Sequence, residues 1–159
     1  SKATSGNITL NIENIDVIAL MKQTLLELED KLEEANLSVR KNMPEGKVIL
    51  PLDSQRTFRV FENLIINITK YAMPNTRVFI DIIENEDDVA IIMKNMAAEE
   101  ITFNVDTLAE RFVRGDESRN TEGSGLGLAI AKSFVELQGG TFNISVDGDL
   151  FKVKIVFVK

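Results

Sequence analysis

The chain reads as an α+β two-layer sandwich, with about three helices packed on one face of a mixed, mostly antiparallel sheet. Three observations predict it. Apolar residues recur at helical spacing in three long single segments. Between them lie five to seven short apolar or alternating runs, mostly joined by tight turns. The 159 residues are 44% hydrophobic and 27% charged, enough for one ordinary core. Hairpin-linked strands with few, long helices favour helices segregated to one sheet face.

Residues 1–6, SKATSG, read as a disordered start or a cloning scar, and 7–159 as a single domain. The alternation of Ile8 to Ile12 predicts a short strand, with Asn14 capping the first helix. Ile18, Met21, Leu25, Leu28, Leu32 and Ala35 then give one apolar face to a helix of about twenty residues. Leu37 to Lys41 and Lys47 to Leu50 are strand candidates flanking the turn Met43-Pro44-Glu45-Gly46. Asp53 or Ser54 caps a second helix that stops near Ala72, before Pro74. Arg77 to Ile83 and Val89 to Met93 are strands about an acidic turn. Lys94 to Glu122 is weakly periodic, with a short helix expected near Val105 to Phe112; a stretch that long suits a functional loop. Leu126 to Leu137 is the third helix, with Leu126, Ile130, Phe134 and Leu137 on one face and Gly139-Gly140 ending it. Thr141 to Val146 and Leu150 to Val158 form a closing hairpin about Asp147-Gly148-Asp149.

The composition excludes several chemistries. A net charge of -7 disfavours nucleic acid as a partner, since that footprint needs a basic face. No Cys means no disulfide or thiolate metal site. No His removes Ser-His-Asp and Cys-His mechanisms and imidazole metal ligation from this chain. No apolar run approaches the roughly 18 residues of a membrane span, and no signal peptide is evident.

Two constellations carry chemistry. In Arg114 to Ser133, RGDESRNTEGSGLGLAIAKS, a charged irregular stretch passes through Gly123, Gly125 and Gly127 straight into a helical pattern. Glycines allow close backbone approach, and a helix N-terminus offers unpaired N–H groups and the positive dipole end, which favours a phosphate. The alternative is a surface loop that ends in a helix. In the helix at 54–72, Phe58, Phe61, Leu64, Ile65, Ile68 and Ala72 form one face, while Asn63, Asn67, Lys70 and Tyr71 fall opposite. An Asn carbonyl is a hard oxygen donor suited to Mg²⁺, and Lys meets phosphate as a point charge. The alternative is a solvated face; the flanking Val60 and Ile66 favour a groove floor over open water.

In this order, the constellations resemble the ATP-binding catalytic domain of sensor histidine kinases, a family shared with DNA gyrase B, Hsp90 and MutL. Phe61-Glu62-Asn63-Leu64-Ile65-Ile66-Asn67-Ile68-Thr69-Lys70-Tyr71 looks like the family's N box. Glu110-Arg111-Phe112-Val113-Arg114-Gly115-Asp116 looks like its F box. Gly123-Ser124-Gly125-Leu126-Gly127-Leu128-Ala129-Ile130-Ala131 looks like its second glycine box, and the Gly139-Gly140-Thr141-Phe142 hairpin also matches. Competing phosphate motifs fit badly: the dinucleotide fingerprint needs Gly at position 128, which is Leu, and no Gly precedes Lys132 as a P-loop requires.

The resemblance implies a Bergerat-type ATPase fold with an ATP lid at about 96–125, and ATP and Mg²⁺ as cofactors. It implies Asn67 as the Mg²⁺ ligand, Asn63 near the phosphates, Lys70 on phosphate and Tyr71 near the adenine. Arg114 and Arg119 would meet the triphosphate, and Gly123, Ser124, Gly125, Leu126, Gly127 and Leu128 would close over it; Phe112 would anchor the lid hinge or be plain core. Glu62 and Asn63 are candidates for basic assistance. One box departs: where the family has Asp-x-Gly-x-Gly to accept the adenine amino proton, this chain has Lys94-Asn95-Met96-Ala97-Ala98. Lys accepts no hydrogen bond, while Asn95 accepts one more weakly than a carboxylate, so reduced affinity or adenine selectivity is expected.

Family members phosphorylate a His on an upstream helical hairpin, which also dimerises, and pass the group to a response regulator. The resemblance therefore implies a monomeric catalytic fragment of a homodimeric kinase, cytoplasmic and part of an integral membrane sensor. A degenerate docking module and a Ser/Thr kinase of the anti-sigma-factor type are the alternatives on the same fold.

Overall fold

A computed structural model describes residues 9–101 and 126–159. The expected helix at 105–112, Phe112, Arg114, Arg119, Gly123, Ser124 and Gly125 lie outside the described residues. The elements run β1 (Ile12–Asp16), α1 (Val17–Glu27), α2 (Glu29–Glu34), β2 (Leu37–Asn42), β3 (Ile49–Asp53) and α3 (Ser54–Tyr71). They continue with β4 (Thr76–Glu84), β5 (Asp88–Met96), α4 (Leu126–Leu137), β6 (Thr141–Asp147) and β7 (Leu150–Val158).

A five-stranded sheet in the order β2-β4-β5-β7-β6 carries the fold. Only β2–β4 is parallel; the other three pairings are antiparallel, and tight turns dictate this for β4–β5 and β6–β7. Side chains alternate across the sheet. Ile80 and Ile82 on β4, Ile91 and Met93 on β5, and Val153, Ile155 and Phe157 on β7 are all buried. They meet Met21 of α1, Phe61 and Ile65 of α3, and Leu128 and Val135 of α4 in one core. Each such side chain contributes about 1.5–3 kcal/mol by leaving water.

The structure corrects the sequence reading in four places. The first strand is Ile12–Asp16, not Ile8 to Ile12, because it pairs antiparallel with β3, Ile12 opposite Asp53. Asp16, not Asn14, caps α1: its carboxylate accepts from the Ile18 amide at 3.1 Å and the Val48 amide at 3.1 Å. The twenty-residue helix is broken at Leu28 (φ -103°, ψ 14°) into α1 and α2. The buried Thr24 hydroxyl donates back to the Leu20 carbonyl at 2.7 Å one turn before the break, a contact that bends helices. β2 and β3 are strands on either side of the Met43-Pro44-Glu45-Gly46 segment, as read, but belong to different sheets; β3 joins a separate two-stranded sheet with β1, where Pro51 is tolerated. Finally, α4 buries Leu128, Ala131 and Val135 rather than Leu126, Ile130, Phe134 and Leu137, which are only partly covered. Its apolar arc is wide, broken only by the sector of Lys132, Ser133 and Glu136, so periodicity could not choose which part of the arc is buried.

α3 behaves as its pattern predicts, with two refinements. Thr57 and Val60 join Phe61, Leu64, Ile65 and Ile68 in the core, so Val60 does not flank the polar stripe, and Phe58 is half-buried.

Candidate functional site

The site is built where the C-terminal half of α3 faces the exit of β5. Both ends of α3 are fixed. At its start, Asp53 is 2% exposed and caps the helix, accepting from the Arg56 amide at 3.0 Å, the Asn11 amide at 2.9 Å and the Arg56 guanidinium at 3.0 Å. Burial alone would raise the Asp53 pKa. The Asn11 and Arg56 amides and the Arg56 guanidinium outweigh it and hold the carboxyl below its ordinary value. The Asp53 amide in turn donates to Gln138 Oε1 at 2.7 Å, just past the end of α4. Gln138 Nε2 donates to the Phe134 carbonyl at 3.0 Å.

The other end of α4 meets α3 a few turns later. A Cβ on Gly127 would lie 3.5 Å from the Asn63 Cβ. The two helices are therefore antiparallel, and the N-terminus of α4 opens toward Asn67 and Lys70. That terminus brings backbone N–H groups and the positive dipole end to the polar stripe.

At the far end of α3, two backbone bonds tie the chain to β5 and its exit, and a third ties that exit to the β6–β7 turn. Met73 N–H donates to the Met96 carbonyl at 2.7 Å, Ala98 N–H to the Tyr71 carbonyl at 2.9 Å, and Ala97 N–H to the Asp149 carbonyl at 2.7 Å. These bonds hold open a cleft of about 420 Å³. Asn67, Lys70 and Tyr71 of α3, Asn95 of β5, Leu128 of α4 and Phe151 of β7 wall it, with the segment from Ala97 to Ile101. A second small void, about 10 Å³, has both Asn67 and Asn95 on its walls, so the two residues are neighbours.

The structure thus brings together Asn67, Lys70, Tyr71, Asn95 and Leu128 from three distant segments. Glu62 and Asn63 do not wall this cleft. Glu62 pairs with Arg59 at 3.8 Å. Asn63 lies against Gly127, its Nδ2 buried with no hydrogen-bond partner among the described residues. Lys94 is also off the site: strand alternation puts it on the outer sheet face, 3.7 Å from Asp81 and over the Phe79 ring. Asn95, only 3% exposed, lines the cleft together with Ala97 and Ala98 of that box. Sequence reasoning missed Phe151, although its alternation with Val153, Ile155 and Phe157 marks it as inward-facing. It also missed the Asp53–Gln138 link, which joins residues 85 positions apart and leaves no local signal.

The cleft thus joins apolar walls, Tyr71, Ala97, Leu128 and Phe151, to the amides of Asn67 and Asn95 and the ammonium of Lys70. Such a mixed lining suits a flat ring joined to an anion.

The chain is similar to known proteins. The chain is 29% identical over 160 residues to the probable sensor protein PcoS of Escherichia coli, covering 98% of this chain and 34% of that protein. It is 33% identical over 135 residues to the sensor protein VanSC of Enterococcus gallinarum, covering 84% of this chain and 37% of that one. The chain thus spans about a third of the length of these curated relatives. Among solved structures, the Acinetobacter baumannii histidine kinase AdeS superposes with a TM-score of 0.79 at 21% identity, over 98% of this chain and 71% of that chain. The catalytic domain of histidine kinase ThkA superposes with a TM-score of 0.78 at 15% identity, over 94% of this chain and 97% of that chain. At these identities the structural likeness establishes the fold. The family model for the histidine kinase-, DNA gyrase B- and HSP90-like ATPases matches residues 52–158, more than half of the chain. The protein therefore belongs to this ATPase family and is homologous to sensor histidine kinases.

Proposed function

We propose that this domain binds Mg-ATP in the cleft between α3 and the β5 exit and donates the γ-phosphoryl group to a histidine on a separate segment of a longer sensor kinase. The single observation that supports the reading is one cleft walled by Asn67, Lys70 and, from the first turn of α4, Leu128, together with the apolar Tyr71, Ala97 and Phe151. Among the described residues no cluster of three His, Cys, Asp or Glu could hold a metal. The Asn67 carbonyl is instead a hard oxygen donor that suits Mg²⁺ sharing its sphere with waters and phosphates. Bound there, Mg²⁺ would neutralise charge on the phosphates.

The rest is the work of the chain. The apolar slot takes the base between Tyr71, Leu128 and Phe151. Lys70 brings a point charge to the phosphates, and the α4 N-terminus brings its dipole. Phosphoryl transfer needs mainly positioning and charge stabilisation. The chain has no His, so the accepting imidazole is supplied by another segment. Its nitrogen forms the bond to the γ-phosphorus as the bond to the β–γ bridging oxygen breaks, and ADP leaves. Arg114, Arg119, Gly123, Ser124 and Gly125 are proposed to close over the triphosphate. Glu62 and Asn63 are proposed to support the transfer. The relay then passes to a response regulator, from a homodimeric protein whose catalytic domain is cytoplasmic and whose sensor part is in the membrane.

The test is transfer of label from γ-labelled ATP by the longer protein that carries the upstream segment. The expected result is an acid-labile, alkali-stable phosphoryl group on that segment, absent from the variant that lacks its histidine. Label on Ser or Thr of a separate protein would instead establish the anti-sigma type of kinase.

A further inference from the structure

The core helices meet the inner face of the five-stranded sheet, and its outer face sorts charge along the strands. At one end, strand pairing sets Arg40, Phe79, Lys94 and Lys152 side by side in one row across β2, β4, β5 and β7, with the exposed Arg77 one row further out. Lys94 and Lys152 are direct cross-strand partners, and like charges so placed weaken a sheet. Asp81, 3.7 Å away, eases Lys94, whereas Arg77, Lys152 and Lys154 have no ion-pair partner among the described residues. At the other end, the β4–β5 turn carries Glu84, Glu86, Asp87 and Asp88, with Lys159 on Glu84 at 3.0 Å. Between the two ends lie Ile83, Ala90, Ile92 and Val156; Ile83 is 42% exposed, and Val158 beside them 67%.

A face meant only for water would intersperse the two signs and avoid opposed lysines. The sorting instead makes this face complementary to itself. A second copy turned end for end, by a twofold axis lying across the strands at the level of Ile91, would set Lys94 over the partner's Asp88. The same operation would set Ile92 over the partner's Ala90, with Arg40 and Lys152 on either side of the partner's acidic turn. Such a contact is isologous and closes at two copies. Strands about 4.8 Å apart and same-face residues about 7 Å apart give a patch of roughly 20 by 25 Å, so about 1,000 Å² for both copies. That is the low end of specific interfaces, where association is weak. We propose that the outer face of the sheet docks a second copy of this chain end for end, in a weak, salt-sensitive dimer that sets its cationic row against the partner's acidic turn. The inference is independent of the nucleotide reading, and the contact is distinct from the dimerisation that the resemblance places on an upstream hairpin.

The experiment is sedimentation equilibrium of the 159-residue chain, as wild type, Lys152→Glu and the double variant Lys152→Glu/Asp87→Lys. The wild type is expected to show a monomer–dimer equilibrium that weakens at least about fivefold between about 50 mM and about 500 mM NaCl. Lys152→Glu should weaken it about tenfold further with an unchanged circular dichroism spectrum, and adding Asp87→Lys should restore it to within about threefold of wild type. A wild type that stays monomeric up to about 1 mM overturns the proposal, and does so even where Lys152→Glu fails to fold. A dimer indifferent to salt, or to a folded Lys152→Glu, overturns it as well, and so does a folded double variant that stays as weak as Lys152→Glu. A wild type that remains monomeric but sediments with vesicles of phosphatidylserine and phosphatidylcholine would give the cationic row to an anionic membrane surface and overturn the second copy as its occupant.

Discussion

The two ends of α3 are built for opposite purposes. Its first turn is closed: the buried Asp53 carboxylate accepts hydrogen bonds from Asn11 and Arg56, the Asp53 amide donates to Gln138, and the Arg56 guanidinium lies 5.8 Å from the Phe134 ring centroid. Its last two turns are open: Asn67, Lys70 and Tyr71 wall a cleft, and Tyr71 is 44% exposed. The closed end fixes where α3 and α4 sit. The open end presents polar groups that a self-sufficient fold would have no reason to gather. Substitutions at the closed end should therefore cost stability and spare ligand binding, and those at the open end the reverse.

The largest stability effect is expected for Asp53→Ala. It removes a helix cap and an ion pair and strands buried donors, which should cost about 2–3 kcal/mol in urea denaturation. Mg-ATP affinity of the folded fraction should stay within about threefold, below the 1.4 kcal/mol that a tenfold change represents. A large affinity loss at unchanged stability would erase the distinction between the ends.

Next is Gly140→Ala. An added Cβ would sit 2.8 Å from a Phe157 ring carbon and 2.9 Å from Val135 Cγ1. Overpacking of this kind costs about 1–3 kcal/mol, read as a lowered thermal midpoint. Gly139, by contrast, is needed for its φ of +86° in the turn that ends α4, where Gly140 N–H reaches the Val135 carbonyl at 3.0 Å.

Acid should act on the closed end through Asp53. Its folded pKa is lowered, so its contribution is complete above the unfolded value of about 3.9 and is lost as pH falls through the folded value. The stability gap between wild type and Asp53→Asn should be constant above about pH 5 and shrink below about pH 4. A gap that narrows with rising pH would contradict the hydrogen-bonded, ionised carboxylate.

The smallest stability effect is expected for Gly127→Ala at the open end. Its Cβ would make ordinary contact, 3.5 Å from the Asn63 Cβ. Stability should be unchanged or rise by less than about 1 kcal/mol, since Ala is the better helix former. Nucleotide affinity should fall if close backbone approach at this helix start matters.

Much of this was legible in the residues. The period-two pattern of Thr76–Glu84 and Leu150–Val158, and the 3.6 period of Ser54–Tyr71, each reflect one buried face, so strands, helix and polar stripe could be read directly. The parallel β2–β4 pairing could not, because it joins segments separated by the whole of α3. Nor could the buried face of α4, where the apolar arc is wide and only packing against α3 and the sheet selects Leu128, Ala131 and Val135 from it. In the site, Asn67, Lys70 and Tyr71 were visible because they share one helix face. The position of Asn95 opposite them depends on β5 lying under α3, which is a property of the assembled sandwich.

Asn67 is where the nucleotide site is most directly put at risk. Calorimetric titration of Mg-ATP into wild type and Asn67→Ala, with a denaturation curve for each, compares ligand and fold in one experiment. Loss of affinity by more than about a hundredfold, about 2.7 kcal/mol, is predicted with stability within about 0.5 kcal/mol of wild type. Unchanged Mg-ATP affinity in a folded Asn67→Ala would contradict it and leave the polar stripe of α3 a solvated face.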